Sequence, residues 1–150
     1  MREAINADLK TATLARDKPR TAALRLISAA IKDRDIVARG TGQPQASDTD
    51  LVDLLAKMVK QRLESARIYE ENGRPELAAQ ERGEIAVIEH YLPKQLSEDE
   101  AKAAIAAVIA ATGAAGFKDM GKVMAELKAR HAGQMDFSKA SAAVKAALAG

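Results

Sequence analysis

Residues 47–75 read S-D-T-D-L-V-D-L-L-A-K-M-V-K-Q-R-L-E-S-A-R-I-Y-E-E-N-G-R-P, and the architecture of the chain can be worked out from this stretch. Its apolar residues recur every three or four positions: Leu51, Leu54, Leu55, Met58, Val59, Leu63 and Ala66. This period is typical of an amphipathic helix and predicts one over about 49–71. Gly73 suits the left-handed position after a helix, and Pro75 suits the first turn of the next one. The short connection predicts an antiparallel helical hairpin.

Two further helices are predicted upstream of this hairpin. The first covers 2–16 and has a weak apolar stripe: Ala4, Leu9, Ala12 and Ala15. The second begins near Pro19 and fades near Ala38. Leu24, Ile27 and Ile31 form its apolar edge, which Ala23, Leu26 and Ala30 widen. Gly and Pro punctuate the loop over 40–47, after which Ser47 or Asp48 caps the next helix. The helix that starts at Pro75 should end near Tyr91, because a residue before proline disfavours the helical region.

Downstream, Ser97 and Glu100 form a capping box, which marks the start of a helix that runs to about Ala111. Two more helices are predicted over 119–130 and 136–149, separated by the break at Ala132-Gly133. The predicted fold is therefore all-α. It comprises an N-terminal four-helix unit at 1–93 and a small C-terminal three-helix bundle at 97–150.

Composition excludes several classes of protein. Aromatic residues make up 3% of the 150 residues, so the core must be aliphatic. Cysteine is absent, which excludes disulfides and thiolate chemistry and favours a cytoplasmic location. No signal peptide is expected, and the apolar run 103–111 is too short to cross a membrane. Net charge is only +2, so any nucleic-acid binding requires a local patch of cations.

Catalytic and metal-binding arrangements are not found in the sequence. His90 and His131 lie outside any metal-binding motif, and no serine sits in a nucleophile motif. Glu81 and Glu84 share a helix face, but the Glu-x-x-His spacing of a di-iron site is missing, so ion pairs to the preceding helix are expected. We predict no catalytic residue, no metal site and no cofactor.

Basic residues are the candidate binding groups. In the C-terminal bundle these are Lys118, Lys122, Lys128 and Arg130; on the long helix they are Lys57, Lys60 and Arg67. Gly121 lies between the first two, where open backbone N–H groups and two cations would hold a phosphate. The alternative is that Gly121 permits close helix packing. For the long helix, the alternative is a solvated network of ion pairs that includes Glu64.

Five ordered motifs resemble those of the GatB/YqeY family. They are Leu24–Lys32, Leu55–Ala66 (L-A-K-M-V-K-Q-R-L-E-S-A), Tyr69–Ala78 (Y-E-E-N-G-R-P-E-L-A), Glu84–Ser97 (E-I-A-V-I-E-H-Y-L-P-K-Q-L-S) and Lys118–Met124 (K-D-M-G-K-V-M). Together they span nearly the whole chain. One departure is Gln134, which stands where the family usually has a basic residue after glycine.

This resemblance implies a two-part helical fold similar to the C-terminal region of GatB, the tRNA-binding component of the aspartyl/glutamyl-tRNA amidotransferase. It implies a link to tRNA, with amidotransferase or aminoacyl-tRNA synthetase proteins as candidate partners, and it implies no catalysis. Three hypotheses follow. The first is a tRNA-binding accessory protein, and the second is a protein-interaction adaptor that uses Phe117 and Met120 of a ubiquitin-associated-like tail. The third, an amidotransferase acting alone as a carbon–nitrogen ligase, is disfavoured because no nucleophile or ATP site is found.

Overall fold

A computed structural model describes residues 1–149, and within them the chain is helical without strands, as the sequence predicts. Seven α-helices occur in this range: α1 Arg2–Leu14, α2 Lys18–Gly40, α3 Asp48–Glu71, α4 Pro75–Glu89, α5 Glu98–Thr112, α6 Met120–His131 and α7 Phe137–Ala149. A 3-10 turn, Phe117–Asp119, precedes α6. The chain divides into two compact units, Met1–Leu92 with α1–α4 and Pro93–Gly150 with α5–α7.

The predicted boundaries differ from the observed ones at two helix junctions. Helix α1 ends at Leu14 because Arg16 adopts a left-handed conformation, φ +57°, and Asp17 then caps α2 by accepting a 3.2 Å hydrogen bond from the Arg20 amide. Helix α6 begins at Met120, since the residues before it form the 3-10 turn. Short 3-10 turns are common at helix ends.

Two capping boxes start α3 and α5. Ser47 accepts a hydrogen bond from the Asp50 amide while the Asp50 carboxylate accepts one from the Ser47 amide, so Ser47 is the cap of α3. Ser97 and Glu100 repeat this arrangement at α5, as predicted. Each box satisfies two N–H groups that the helix leaves unpaired.

The core of the N-terminal unit is aliphatic, and the α3–α4 hairpin is central to it. Its fully buried side chains are Ile5, Leu24, Ile27, Leu51, Leu55 and Ile88. The predicted stripe of α1 was partly wrong, because Ala4 and Ala15 are exposed and Ile5 and Ala12 are buried instead. Leu26 and Leu63, both placed on apolar faces, are each 46% exposed.

The C-terminal unit has its own core of Ile105, Val108, Val123, Leu127, Ala140 and Val144. Its first segment is held against the turn between α6 and α7. The Leu96 amide donates to the Gln134 carbonyl at 2.8 Å, and Gln95 Nε2 donates to the Gly133 carbonyl. Gln134 in turn donates to the Lys94 carbonyl at 3.3 Å, so this family departure has a structural role here.

Candidate nucleic-acid interface

The start of α6 is the most open of the predicted binding positions. No side chain caps this helix, because the carboxylate of Asp119 accepts a 3.0 Å hydrogen bond from the Ala115 amide instead. A methyl group added at Gly121 would meet nothing within 4 Å, so the close-packing interpretation of this glycine was wrong. The surface over the first turn of α6 is therefore accessible to a ligand.

Two predicted cations flank this turn in sequence, and the structure uses them differently. Lys118 is exposed and makes no ion pair within residues 1–149. Lys122 Nζ donates a 3.3 Å hydrogen bond to the Thr112 carbonyl at the end of α5. A cation is favoured at the carboxyl end of a helix, so Lys122 stabilises the fold of the bundle as well as adding charge beside α6.

The other two basic residues of the tail do not extend this surface. Lys128 and Arg130 are two residues apart on α6, so their side chains point in directions about 160° apart. Lys128 Nζ lies 5.9 Å from the centroid of the Phe137 ring, and Arg130 Nε donates a 2.7 Å hydrogen bond to Glu126. The predicted four-cation patch thus reduces to Lys118 and Lys122 around the first turn of α6.

The predicted cations of α3 lie on its solvent side within a network of opposite charges. Arg67 pairs with Glu64 at 2.5 Å and with Glu71 at 2.6 Å. The hydrogen bond from Arg67 lowers the pKa of Glu64, and the two carboxylates raise the pKa of Arg67. Lys60 also has partners. The ion-pair interpretation therefore holds for Arg67, whereas Lys57 lines a groove between α2 and α3.

The histidines and paired carboxylates have structural surroundings. His90 is exposed with its ring edge-on to Tyr91 at 5.0 Å, and His131 Nδ1 lies 3.1 Å from Gln134 Oε1. Glu84 forms an ion pair with Arg62 of α3 at 2.9 Å, as expected. In the part of the chain that the structure describes, no group of three or more His, Asp or Glu residues is placed to hold a metal ion.

One network was not found from the sequence. Arg2 forms a two-point ion pair with Asp35, with Nη1 at 2.7 Å and Nη2 at 2.5 Å from the carboxylate oxygens. Asp35 also accepts a 2.9 Å hydrogen bond from the Ala46 amide, and the guanidinium donates to the Ala46 carbonyl at 2.9 Å. Because the partners are 33 and 11 residues apart, no local spacing indicates them.

The length and hydropathy of the helices bear on membrane insertion. Within residues 1–149, no single helix is long and apolar enough to cross a bilayer. One pair, Glu98–Thr112 with Phe117–His131, satisfies the length and composition criteria jointly, but it is bent by 97° at its break.

Comparisons with known proteins agree with the family resemblance. The family model described as Yqey-like protein matches residues 2–148. The protein named altered inheritance of mitochondria protein 41, mitochondrial, from Saccharomyces cerevisiae is 33% identical over 88 residues, which cover 59% of this chain and 46% of that protein. The chain thus aligns with about half the length of this curated relative.

The protein of the same name from Eremothecium gossypii is 32% identical over 148 residues, which cover 97% of this chain and 79% of that protein. The family match and this nearly full-length similarity lead to the same assignment. The chain belongs to the YqeY-like protein family.

Proposed function

We propose that this chain is an accessory RNA-binding protein that docks on tRNA through its C-terminal unit. The observation that carries the proposal is the first turn of α6, where no side chain caps the helix and the surface over Gly121 is open. Backbone N–H groups at a helix start attract phosphate oxygens, and Lys118 and Lys122 add positive charge on either side. The tRNA is the RNA that the family resemblance implies.

Binding of this kind rests on the phosphate backbone. Residues 1–149 offer few exposed aromatic rings for base stacking, and Phe117 is the most exposed large one at 53%. A site with about two or three phosphate contacts gives weak affinity that falls as salt is raised, because each neutralised phosphate releases counterions. We therefore expect shape and charge, rather than base sequence, to determine which RNA binds.

The experiment is a titration of fluorescently labelled tRNA with the full chain at low and at moderate salt. Lys118→Glu is the test variant, since this exposed side chain has no ion pair within residues 1–149 to lose. Lys145→Glu on α7 is the matched control, because Lys145 is also exposed and lies outside the first turn of α6. We expect Lys118→Glu to weaken binding about tenfold and Lys145→Glu to leave it nearly unchanged. Equal losses in both variants, or no binding at low salt, would refute the proposal.

An accessory protein of tRNA metabolism would meet the enzymes that act on the same tRNA. We therefore include amidotransferase and aminoacyl-tRNA synthetase proteins as proposed partners. Co-sedimentation with a purified enzyme in the presence and absence of tRNA tests this point. A complex that forms only with tRNA supports an accessory role, whereas no complex under either condition removes these enzymes from the proposal.

Phe117 favours a second candidate function, that of a protein-interaction adaptor. Its ring is exposed in the 3-10 turn before α6, and exposed large apolar side chains of this kind often contact partners. Met120 contributes less to such a surface because it packs against the C-terminal core. Partners that survive nuclease treatment in a pull-down, and that are lost in Phe117→Ala, would favour the adaptor over RNA binding.

The cytoplasm remains the proposed location for this chain. The two relatives above carry the word mitochondrial in their names. Cell fractionation followed by immunoblotting of the native protein distinguishes the two locations, and recovery in the mitochondrial fraction would replace the cytoplasmic proposal.

A further inference from the structure

The N-terminal unit carries a groove between α2 and α3 that nothing in the unit fills. Its volume is about 410 Å³, and Leu26, Ala29, Ala30, Leu54 and Met58 supply the apolar part of its lining. The apolar surface continues along α2 beyond the groove, since Ile36 and Val37 are 62% and 56% exposed. Leu24, Ile27 and Ile31 of the same helix are buried, so α2 has one apolar face in the core and a second facing outward.

The outward face of α2 has the spacing of a helix-docking seam. Ala22, Leu26, Ala29, Asp33 and Ile36 follow one another at alternating intervals of four and three residues. This pattern places apolar residues along one line of a helix and is the pattern that packs against a second helix. From Leu26 to Val37 the helix rises by about 16 Å, which is enough for about three turns of a docked helix.

The charges around the seam determine which helix fits. Arg25 and Lys32 stand one residue before Leu26 and Asp33, and their seven-residue spacing keeps them on one side of the seam. Lys57 lines the groove from α3. Arg25, Lys32 and Lys57 are exposed, and none has an ion-pair partner within residues 1–149. Cations on both sides of an apolar groove favour a ligand with acidic flanks.

We propose that the α2–α3 groove binds an amphipathic helix of a partner protein, with apolar anchors on one face and acidic residues beside them. Helices of this kind bind in grooves through residues at i, i+3, i+4 and i+7. Asp33, the one acidic residue of the seam, then faces a basic or amide side chain of the partner and sets the register of the two helices. This site is independent of the proposed RNA contact at α6.

The same charges argue against the other occupants. A symmetric contact between two copies brings the same surface of each together, and the basic residues beside the seam would then lie near one another. RNA would pair with the cations but would leave the apolar seam without a suitable partner. An acidic amphipathic helix is the one occupant that covers the apolar surface and neutralises Arg25, Lys32 and Lys57.

The test uses the full chain and a labelled synthetic helical peptide of about 18 residues, with Leu at the anchor positions and Glu on both flanks. A matched peptide has Lys in place of every Glu. We expect saturable binding of the acidic peptide, measured by fluorescence anisotropy, and binding of the basic peptide that is about tenfold weaker or less. Equal affinity for the two peptides, or no binding of either, would overturn the proposal.

Variants of the chain locate the site. Leu26→Glu should weaken the acidic peptide about tenfold or more, because it places a charge at the centre of the seam. Leu14→Glu is the matched control, since Leu14 is 76% exposed on α1 and is not part of the groove. The double variant Lys32→Glu, Lys57→Glu replaces exposed side chains only, and it should reverse the preference in favour of the basic peptide. Equal effects of Leu26→Glu and Leu14→Glu would overturn the proposal.

Two further measurements separate the alternatives. Sedimentation of the chain alone should give a monomer, and a dimer that Leu26→Glu dissociates would assign the groove to a second copy. Leu26→Glu should leave tRNA affinity unchanged, and a parallel loss of tRNA binding would assign the groove to RNA. Lys118→Glu should in turn leave peptide binding unchanged, so failure of the α6 proposal is distinguishable from failure of this one.

Discussion

Arg62 Nε donates a 2.9 Å hydrogen bond to Glu84 Oε2, and this ion pair joins α3 to α4 within the hairpin. The side chains are only 16% and 19% exposed, and Arg62 also donates to the Met58 carbonyl at 3.3 Å. A charge pair with this little access to water differs from those on the outer face of α3. Its loss leaves a cation that water solvates poorly.

Glu84→Ala should therefore lower the free energy of unfolding by about 1–3 kcal/mol, because Arg62 loses its counter-ion in a half-buried position. Urea denaturation followed by far-ultraviolet circular dichroism measures the change. Glu71→Ala is the control: its ion pair with Arg67 is 60% and 55% exposed, and we expect a change below about 0.5 kcal/mol. Indistinguishable midpoints for the two variants would contradict this assignment.

Asp35 predicts a specific loss of stability in acid. The hydrogen bonds from Arg2 and from the Ala46 amide lower the pKa of this carboxyl from 3.8 to about 2. The unfolded chain therefore binds a proton more readily than the folded chain does. The stabilisation is fully present above about pH 4 and is lost as the pH falls through 2.

The urea midpoint should accordingly fall between pH 4 and pH 2 in the wild type, and Asp35→Asn should fall less steeply because it has no carboxyl to protonate. Some acid dependence will remain, since hydrogen bonds within the capping boxes lower the pKa of Asp50 and Glu100 as well. Parallel curves for the wild type and Asp35→Asn over this range would exclude Asp35 as a source of the acid dependence.

Tyr91 predicts an effect at the opposite end of the pH scale. Burial and the 2.5 Å hydrogen bond to Asp8 Oδ2 raise the pKa of the phenol from 10.0 to about 12. The neutral phenol is thus favoured in the folded chain, so its stabilisation is present below pH 10 and is lost as the pH rises through 12.

Ultraviolet absorbance of the phenolate measures this titration directly. We expect a component near pH 12 that is absent in Tyr91→Phe. Asp8→Asn removes the neighbouring negative charge, so the same component should move to lower pH. If Asp8→Asn leaves the titration where it was, the hydrogen bond to Asp8 does not contribute to the shift.

The helices were predictable because their signals are local. The apolar rhythm of α3, the capping box at Ser97 and Gly73 before Pro75 each depend on residues within a few turns of one another. The orientation of α2 was harder to predict. Apolar residues occur on both its core face and its outward face, so periodicity alone did not show that Leu24 is buried while Leu26 is half exposed.

The candidate site was less predictable than the fold, since tertiary contacts decide which cations remain available. Lys122 and Lys118 look alike in the sequence, but Lys122 reaches the Thr112 carbonyl, ten residues away on α5. Lys128 lies over the ring of Phe137. A count of basic residues cannot anticipate such partners. The α2–α3 groove was missed for a related reason, because it needs the lining of two separate helices.

Helix glycines provide the last prediction. Gly83 lies inside α4 and Gly121 near the start of α6, and a methyl group at either position meets nothing within 4 Å. Ala is the better helix former, so Gly83→Ala and Gly121→Ala should each raise the free energy of unfolding by about 0.5–1 kcal/mol. Gly121→Ala should also keep its tRNA affinity, because the backbone N–H groups stay in place.

Gly73 is the control for this comparison. It also has open space around it, but its φ of +71° lies in the left-handed region after α3, where a side chain is strained. Gly73→Ala should therefore destabilise the chain by about 1 kcal/mol, opposite in sign to the two helix variants. Thermal and urea denaturation of the three variants give the comparison. Destabilisation by Gly83→Ala or Gly121→Ala would mean that some contact at that glycine excludes a methyl group.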